Sequence, residues 1–199
     1  MSTLLYLHGF NSSPQSKKAI QTQQWLADHA PQLQFHCPSL PPFANQVMTL
    51  LQALIEEILP APVYLVGSSM GGFFATCLAE QYDLRTVLIN PAVNPARGLH
   101  NWLGENHNYV TGEPWTLLPQ HIDEYAALNP GERLRRKNYK VLLQTGDEVL
   151  DYRDAEHRYR GCQVLTEKGG DHSFIDYQAH LPAIYRFLTD AKRENNHSQ

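Results

Sequence analysis

Cysteine is scarce in this chain, long apolar runs are missing, and positive charge is not in excess. Its 199 residues include 3 cysteines, Cys37, Cys77 and Cys162, an odd number at unrelated spacings. Such usage indicates neither a disulfide framework nor a zinc site, and points to small buried thiols in a reducing compartment. No run approaches the roughly 18 apolar residues of a membrane-spanning helix. The amino terminus enters strand-like residues without a basic stretch, a long apolar region or a cleavage site. The protein is therefore expected to be soluble and cytoplasmic, with no membrane partner. A formal net charge of −4, from 16 basic and 20 acidic residues, comes without a basic stripe, so no nucleic-acid partner is expected either. The one basic cluster, RLRRK at 133–137, reads as a solvated turn before a strand. Repeats, low-complexity tracts and domain-dividing linkers are absent. The length suits a single domain over residues 1–190, with a disordered tail at 191–199.

What is present is an alternation. Strand-like runs at about 3–7, 33–37, 63–67, 86–90, 140–145 and 162–166 are separated by helical patterns, which predicts a parallel sheet covered by helices. The clearest helix is 45–59, with Val47, Met48, Leu51, Leu54, Ile55 and Ile58 at three- and four-residue spacing. Ser13-Pro14 reads as the start of a helix to about residue 29, and 176–189 turns Leu181, Ile184, Tyr185 and Leu188 inward.

The third strand-like run stops at Gly67-Ser68-Ser69-Met70-Gly71 and passes directly into FFATCLAEQY. A serine hydroxyl is a poor nucleophile unless it is held clear of the backbone within reach of a base, and a sharp strand-to-helix turn presents it so. The turn crowds the positions two before and two after the serine, which glycine relieves. Ser69 has Gly67 and Gly71 there, whereas Ser68 would have Val66 and Met70. Ser69 is the candidate nucleophile.

Its partners follow in chain order. Val141-Leu142-Leu143 runs into Gly146-Asp147-Glu148, and a carboxylate just past a strand end lies at the sheet's carboxyl edge, where ligands collect. Asp147 is the candidate acid, while Asp151 suits a helix cap. Val164-Leu165 leads to Lys168-Gly169-Gly170 and delivers Asp171-His172 on a loop. Imidazole exchanges a proton near neutrality, so His172 is the candidate base. Asp171 diverges from it as an adjacent side chain does in an extended loop. An attacked carbonyl develops negative charge on oxygen, which backbone N–H groups must meet: one follows the nucleophile, at Met70, and one sits in the loop after the first strand, at Phe10. His8 precedes the nucleophile in the chain and is read as packing under the turn.

These segments resemble the α/β-hydrolase superfamily. STLLYLHGFNSSP, NPAVNP at 90–95 and LLQTGDEVLDYR resemble, more closely, the small bacterial YqiA-like esterases. The resemblance implies a sheet ordered 2-1-3-4-5-6 flanked by helices, and hydrolysis of short-chain carboxylic esters through an acyl-enzyme, without metal or organic cofactor. The partner it implies is a small-molecule acyl ester. A thioesterase or acyltransferase would use the same triad, and a non-catalytic binding module could keep the fold.

Between Asn90 and Lys140 the alternation breaks for 49 residues holding Trp102, Trp115, Tyr109 and Tyr125. Insertions of this length in compact domains are usually functional. Residues 91–139 are read as a small helical cap, with Trp102 and Trp115 lining the pocket. His100, His107 and His121 within it match no metal-ligand pattern.

Overall fold

Runs that are apolar at nearly every position demand burial on both faces, and the computed structural model, which describes residues 1–190, provides it. The tail expected at 191–199 lies outside the described residues. In chain order the elements are β1 (Thr3–Leu7), α1 (Lys17–His29), β2 (Gln34–His36), α2 (Ala44–Ile58), β3 (Val63–Ser68), α3 (Met70–Tyr82), β4 (Arg85–Ile89), α4 (Pro95–Leu99), β5 (Gly104–His107), β6 (Pro114–Leu117), α5 (Pro119–Leu128), β7 (Tyr139–Gln144), α6 (Tyr152–Arg158), β8 (Gln163–Glu167) and α7 (Tyr177–Thr189). Single 3-10 turns occupy His100–Trp102 and Arg136–Asn138.

Six strands pair in parallel in the order β2-β1-β3-β4-β7-β8. This is the expected 2-1-3-4-5-6 arrangement once β5 and β6 are set aside. Successive side chains of a strand point to opposite faces. Leu4, Tyr6, Val66, Val87, Ile89 and Leu142 accordingly meet Leu26 of α1 and Leu181, Ile184 and Leu188 of α7. On the other face Leu5, Leu7, Leu65, Leu88, Val141 and Leu143 meet Leu51 and Ile55 of α2 and Phe74 and Leu78 of α3. Each such buried side chain contributes about 1.5–3 kcal/mol.

Helix α1 begins later than Ser13-Pro14 suggested. The Ser13 hydroxyl accepts the Gln15 amide at 3.0 Å and its carbonyl accepts the Ser16 amide at 3.0 Å. That local turn consumes the groups a helix start would need and moves the start to Lys17.

The insertion between β4 and β7 contains helices α4 and α5 as expected, but also an antiparallel hairpin, β5–β6, pairing Gly104 with Leu117 and His107 with Pro114. Its turn is closed by Asn108, whose Oδ1 accepts the amides of Val110 and Thr111 at 2.9 and 3.0 Å. GENH and PWTL offer no alternation of apolar residues, so a period-based reading finds no strands there.

Register brings the carboxyl ends of the strands to one edge. Leu7 lies beside Gly67, Ser68 beside Ile89, and Gln144 beside Glu167. The turn after β3 is also pressed against the end of β1, since a Cβ on Gly71 would run into the Leu7 carbonyl oxygen and stand 2.6 Å from that of His8. Gly71→Ala is therefore expected to lower stability by about 1–3 kcal/mol or more through overpacking. Gly98→Ala, where a Cβ meets nothing within 4 Å, should be neutral or stabilising by up to ~1 kcal/mol. Urea unfolding midpoints of the two variants check the contrast.

Candidate active site

Strand β3 ends and α3 begins within two residues, and only an unusual backbone allows it. Ser69 sits at φ 55° and ψ −122°, a conformation that L-residues rarely adopt. It is held there from three sides: its amide donates to the Ile89 carbonyl at 3.0 Å, and its own carbonyl accepts from Gly72 at 2.9 Å and Ala92 at 3.0 Å. A Cβ on Gly67 would collide with the Gly71 carbonyl and approach the Ala75 Cβ to 2.8 Å, so the two glycines that singled out Ser69 face each other across the turn.

The Ser69 Oγ lies 2.9 Å from His172 Nε2, and His172 Nδ1 lies 2.9 Å from both oxygens of Asp147. A carboxylate only accepts, so Nδ1 carries the proton and Nε2 is left bare toward the serine. The Asp147 side chain is nearly excluded from solvent at 2% exposure, against 22% for that of His172. Its Oδ1 also accepts the amides of Val149 and Leu150 at 2.9 and 2.8 Å, which fixes the rotamer aimed at the ring. Asp151 is instead the N-cap of α6, accepting the Arg153 amide at 3.0 Å and pairing with its guanidinium. Asp171 turns away from the ring and accepts the Ser173 hydroxyl at 2.5 Å. His8 is buried under the turn, where Nε2 accepts the Leu40 amide at 3.2 Å, and burial lowers its pKa.

Several residues that position this chain escaped the sequence reading. Asn90 donates to the carbonyls of Asp171 and His172 at 3.0 and 3.4 Å while accepting the Gln144 amide at 3.0 Å. Gln144 accepts the amides of Asp171 and Ile175 at 3.2 and 2.8 Å. Glu148 accepts the His172 amide at 3.0 Å. The only sequence signal was a polar side chain ending an apolar strand, as in RTVLIN and KVLLQ.

Ser69 opens onto a cavity of about 380 Å³ walled by Phe10, Met70, Pro91, Leu99, Trp102 and Leu150. Phe10 and Met70 separate it from a second cavity of about 610 Å³, lined by Asn11, Leu40, Phe74, Trp115 and Tyr125. Among the described residues neither the Phe10 nor the Met70 amide donates to a protein acceptor. Trp102 and Trp115 do not stack on each other; both meet the Phe10 ring edge-on, at 5.7 and 5.3 Å between centroids. A groove of about 600 Å³ shares Val93, Asn94, Arg97 and Asp154 with the Ser69 cavity and adds Arg136, Arg158 and Arg160. Among the described residues no ion pair involves these four arginines, no group of His, Cys, Asp and Glu could hold a metal ion, and no helix is long and apolar enough to cross a membrane. The three cysteines are free, and burial pushes their thiols up to about 12 for Cys37 and Cys77 and about 11 for Cys162.

Residues 3–189 match the model of a family described as an uncharacterised protein family, UPF0227. The chain belongs to UPF0227. It is 22% identical over 186 residues to a UPF0227 protein of Shewanella sediminis, covering 92% of this chain and 98% of that one. It is 23% identical over 192 residues to YcfP of Salmonella gallinarum, covering 94% and 98%. Among solved structures it is similar to Est1E from Butyrivibrio proteoclasticus with bound ferulic acid, at TM-score 0.76 and 14% identity over 96% of this chain and 89% of that one. A putative hydrolase from Agrobacterium vitis aligns at TM-score 0.72 and 17% identity over 94% and 88%. The fold is that of the α/β-hydrolases, as the YqiA-like resemblance implied.

The loop carrying His172 is also tied by Lys18, whose Nζ donates to the Ser173 carbonyl at 2.8 Å. Burial pulls the Lys18 pKa from 10.5 down to about 8, against the opposing pull of Asp171 and Asp147. A lysine with a lowered folded pKa is penalised in its charged form, so the cost is fully present below the folded value and relieved as pH rises toward the unfolded one. The melting temperature of the native protein, relative to Lys18→Met, should therefore climb between about pH 8 and pH 10.5. A flat difference across that window would show that Lys18 is not desolvated.

Proposed function

We propose that this protein is a cytoplasmic serine hydrolase that cleaves short-chain carboxylic esters of small molecules through an acyl-enzyme. The observation carrying the reading is the continuous hydrogen-bonded chain from Ser69 through His172 to the buried Asp147 carboxylate, beside two backbone amides with no protein acceptor among the described residues. His172 Nε2 takes the Ser69 proton as Oγ attacks the ester carbonyl, and Asp147 holds the ring and stabilises the imidazolium. The amides of Phe10 and Met70 receive the oxyanion, an interaction worth about 2.7–4 kcal/mol per donor in related chemistry. The positive end of α3 adds to that field. The imidazolium then gives its proton to the departing alkoxide, and water repeats the attack on the acyl-enzyme. Leu99, Trp102 and Leu150 close the Ser69 cavity at about 380 Å³, which favours short acyl groups. Three unpaired cysteines support the cytoplasmic placement.

Ser69→Ala should reduce ester turnover by roughly 10⁴-fold or more, and Asp147→Asn by on the order of 10⁴-fold, with folding intact. Ser68→Ala and Asp151→Asn should each cost little. The rates are read with p-nitrophenyl butyrate, and labelling by a fluorophosphonate should be confined to Ser69. Wild-type turnover in Ser69→Ala, or labelling elsewhere, would refute the assignment.

One observation favours a second reading, thioester cleavage with a phosphorylated leaving group. Arg97, Arg136, Arg158 and Arg160 face the adjoining groove against two carboxylates, Asp154 and Glu132, and arginine clusters suit phosphate. A matched comparison of butyryl-coenzyme A with its neutral N-acetylcysteamine counterpart separates the two. Short-chain ester hydrolysis predicts similar kcat/KM for both, whereas a phosphate-binding groove predicts a preference of roughly tenfold for the charged thioester that fades with salt.

A further inference from the structure

The two amides placed at the oxyanion are supported by different parts of the molecule. The Met70 amide belongs to the first turn of α3 and follows the pinned Ser69 backbone. The Phe10 amide lies on a loop after β1, where Asn11 takes a left-handed φ of 52°, and a loop of this kind needs outside contacts to hold one geometry.

Those contacts come from the hairpin about a hundred residues later. Trp115 donates its indole N–H to Asn11 Oδ1 at 2.9 Å, the Tyr109 amide donates to the Asn11 carbonyl at 2.9 Å, and Asn108 donates through Nδ2 to the Ser12 carbonyl at 3.0 Å. Phe10 itself sits in edge-on contact with both Trp102 and Trp115. Asn11 is 8% exposed and its Nδ2 has no partner among the described residues, so the indole is the sole tether of that side chain. An oxyanion donor must be in place before charge develops, and small displacements erode its effect.

We propose that Trp115 and Asn11 are positioning residues, and that the hairpin of the insertion sets the Phe10 amide for catalysis rather than only walling a pocket. This rests on the serine-hydrolase reading. Trp115→Phe keeps the ring against Phe10 and deletes the N–H. Asn11→Gly deletes the acceptor and tolerates the backbone angle. Each should lower kcat for p-nitrophenyl butyrate by roughly tenfold, less than outright loss of an oxyanion donor, with KM changed by no more than about twofold. The double variant should be no worse than the poorer single one, because both changes break the same bond. Hydrogen exchange followed by mass spectrometry should rise in Trp115→Phe over residues 8–13 and stay unchanged over 66–74. Additive losses, unchanged exchange over 8–13, or a KM effect without a kcat effect would overturn the proposal. The exchange measurement needs no turnover, so a protein inert to esters and to fluorophosphonates would sink the hydrolase reading while the tether is still judged on its own.

Discussion

Everything in the site depends on how closely β3 and α3 approach the end of β1. A serine raised on a two-residue turn needs its flanking positions stripped of side chains, and Gly67 and Gly71 supply that space against each other and against the Leu7 carbonyl. The backbone strain at Ser69, of order 1–3 kcal/mol for such a conformation, persists because Ile89, Gly72 and Ala92 all bond the same residue. With Ser69 fixed, the places of the other two groups follow from the sheet. β7 and β8 end beside each other, the Gly146 amide bonds the Gly169 carbonyl at 2.8 Å, and Asp147 and His172 are thereby brought together.

This chain of consequences explains why so much was legible in the sequence. Strands buried on both faces must be apolar at nearly every position, so their bounds fall within a residue of where the apolar runs begin and end, as at Thr3–Leu7 and Arg85–Ile89. That Ser69, Asp147 and His172 come within hydrogen-bonding distance of one another was readable from a steric rule at the serine and from the order of strand ends. The separation of Asp147 from Asp151 was also readable, because a carboxylate just ahead of a polar helix start serves as a cap.

What stayed hidden depends on contacts between residues far apart in the chain. Asn90 and Gln144 look like ordinary strand-end polar residues, and nothing local shows that together they hold the loop of His172. The β5–β6 hairpin lacks an apolar period because it lies against the loop after β1, with Leu117 as its buried core residue and Trp115 packed beside it. The arginine groove was invisible for a further reason: Arg97, Arg136 and Arg158 come from α4, a 3-10 turn and α6, and only folding assembles them. Of RLRRK, read as a solvated turn, Arg135 pairs with Glu80 and Arg136 turns to that groove.

On the hydrolase reading the insertion ties selectivity to chemistry. Trp115 lines the 610 Å³ cavity and touches the Phe10 ring, while its indole nitrogen bonds the residue next to Phe10. Trp102 touches the same ring from the Ser69 cavity. On the hydrolase reading, a group filling either cavity presses on the residue whose amide receives the oxyanion, so binding energy gained away from the reacting carbon is expressed in the transition state and not only in affinity. The same coupling constrains change. A pocket widened by trimming either tryptophan would also lose a contact of the Phe10 ring.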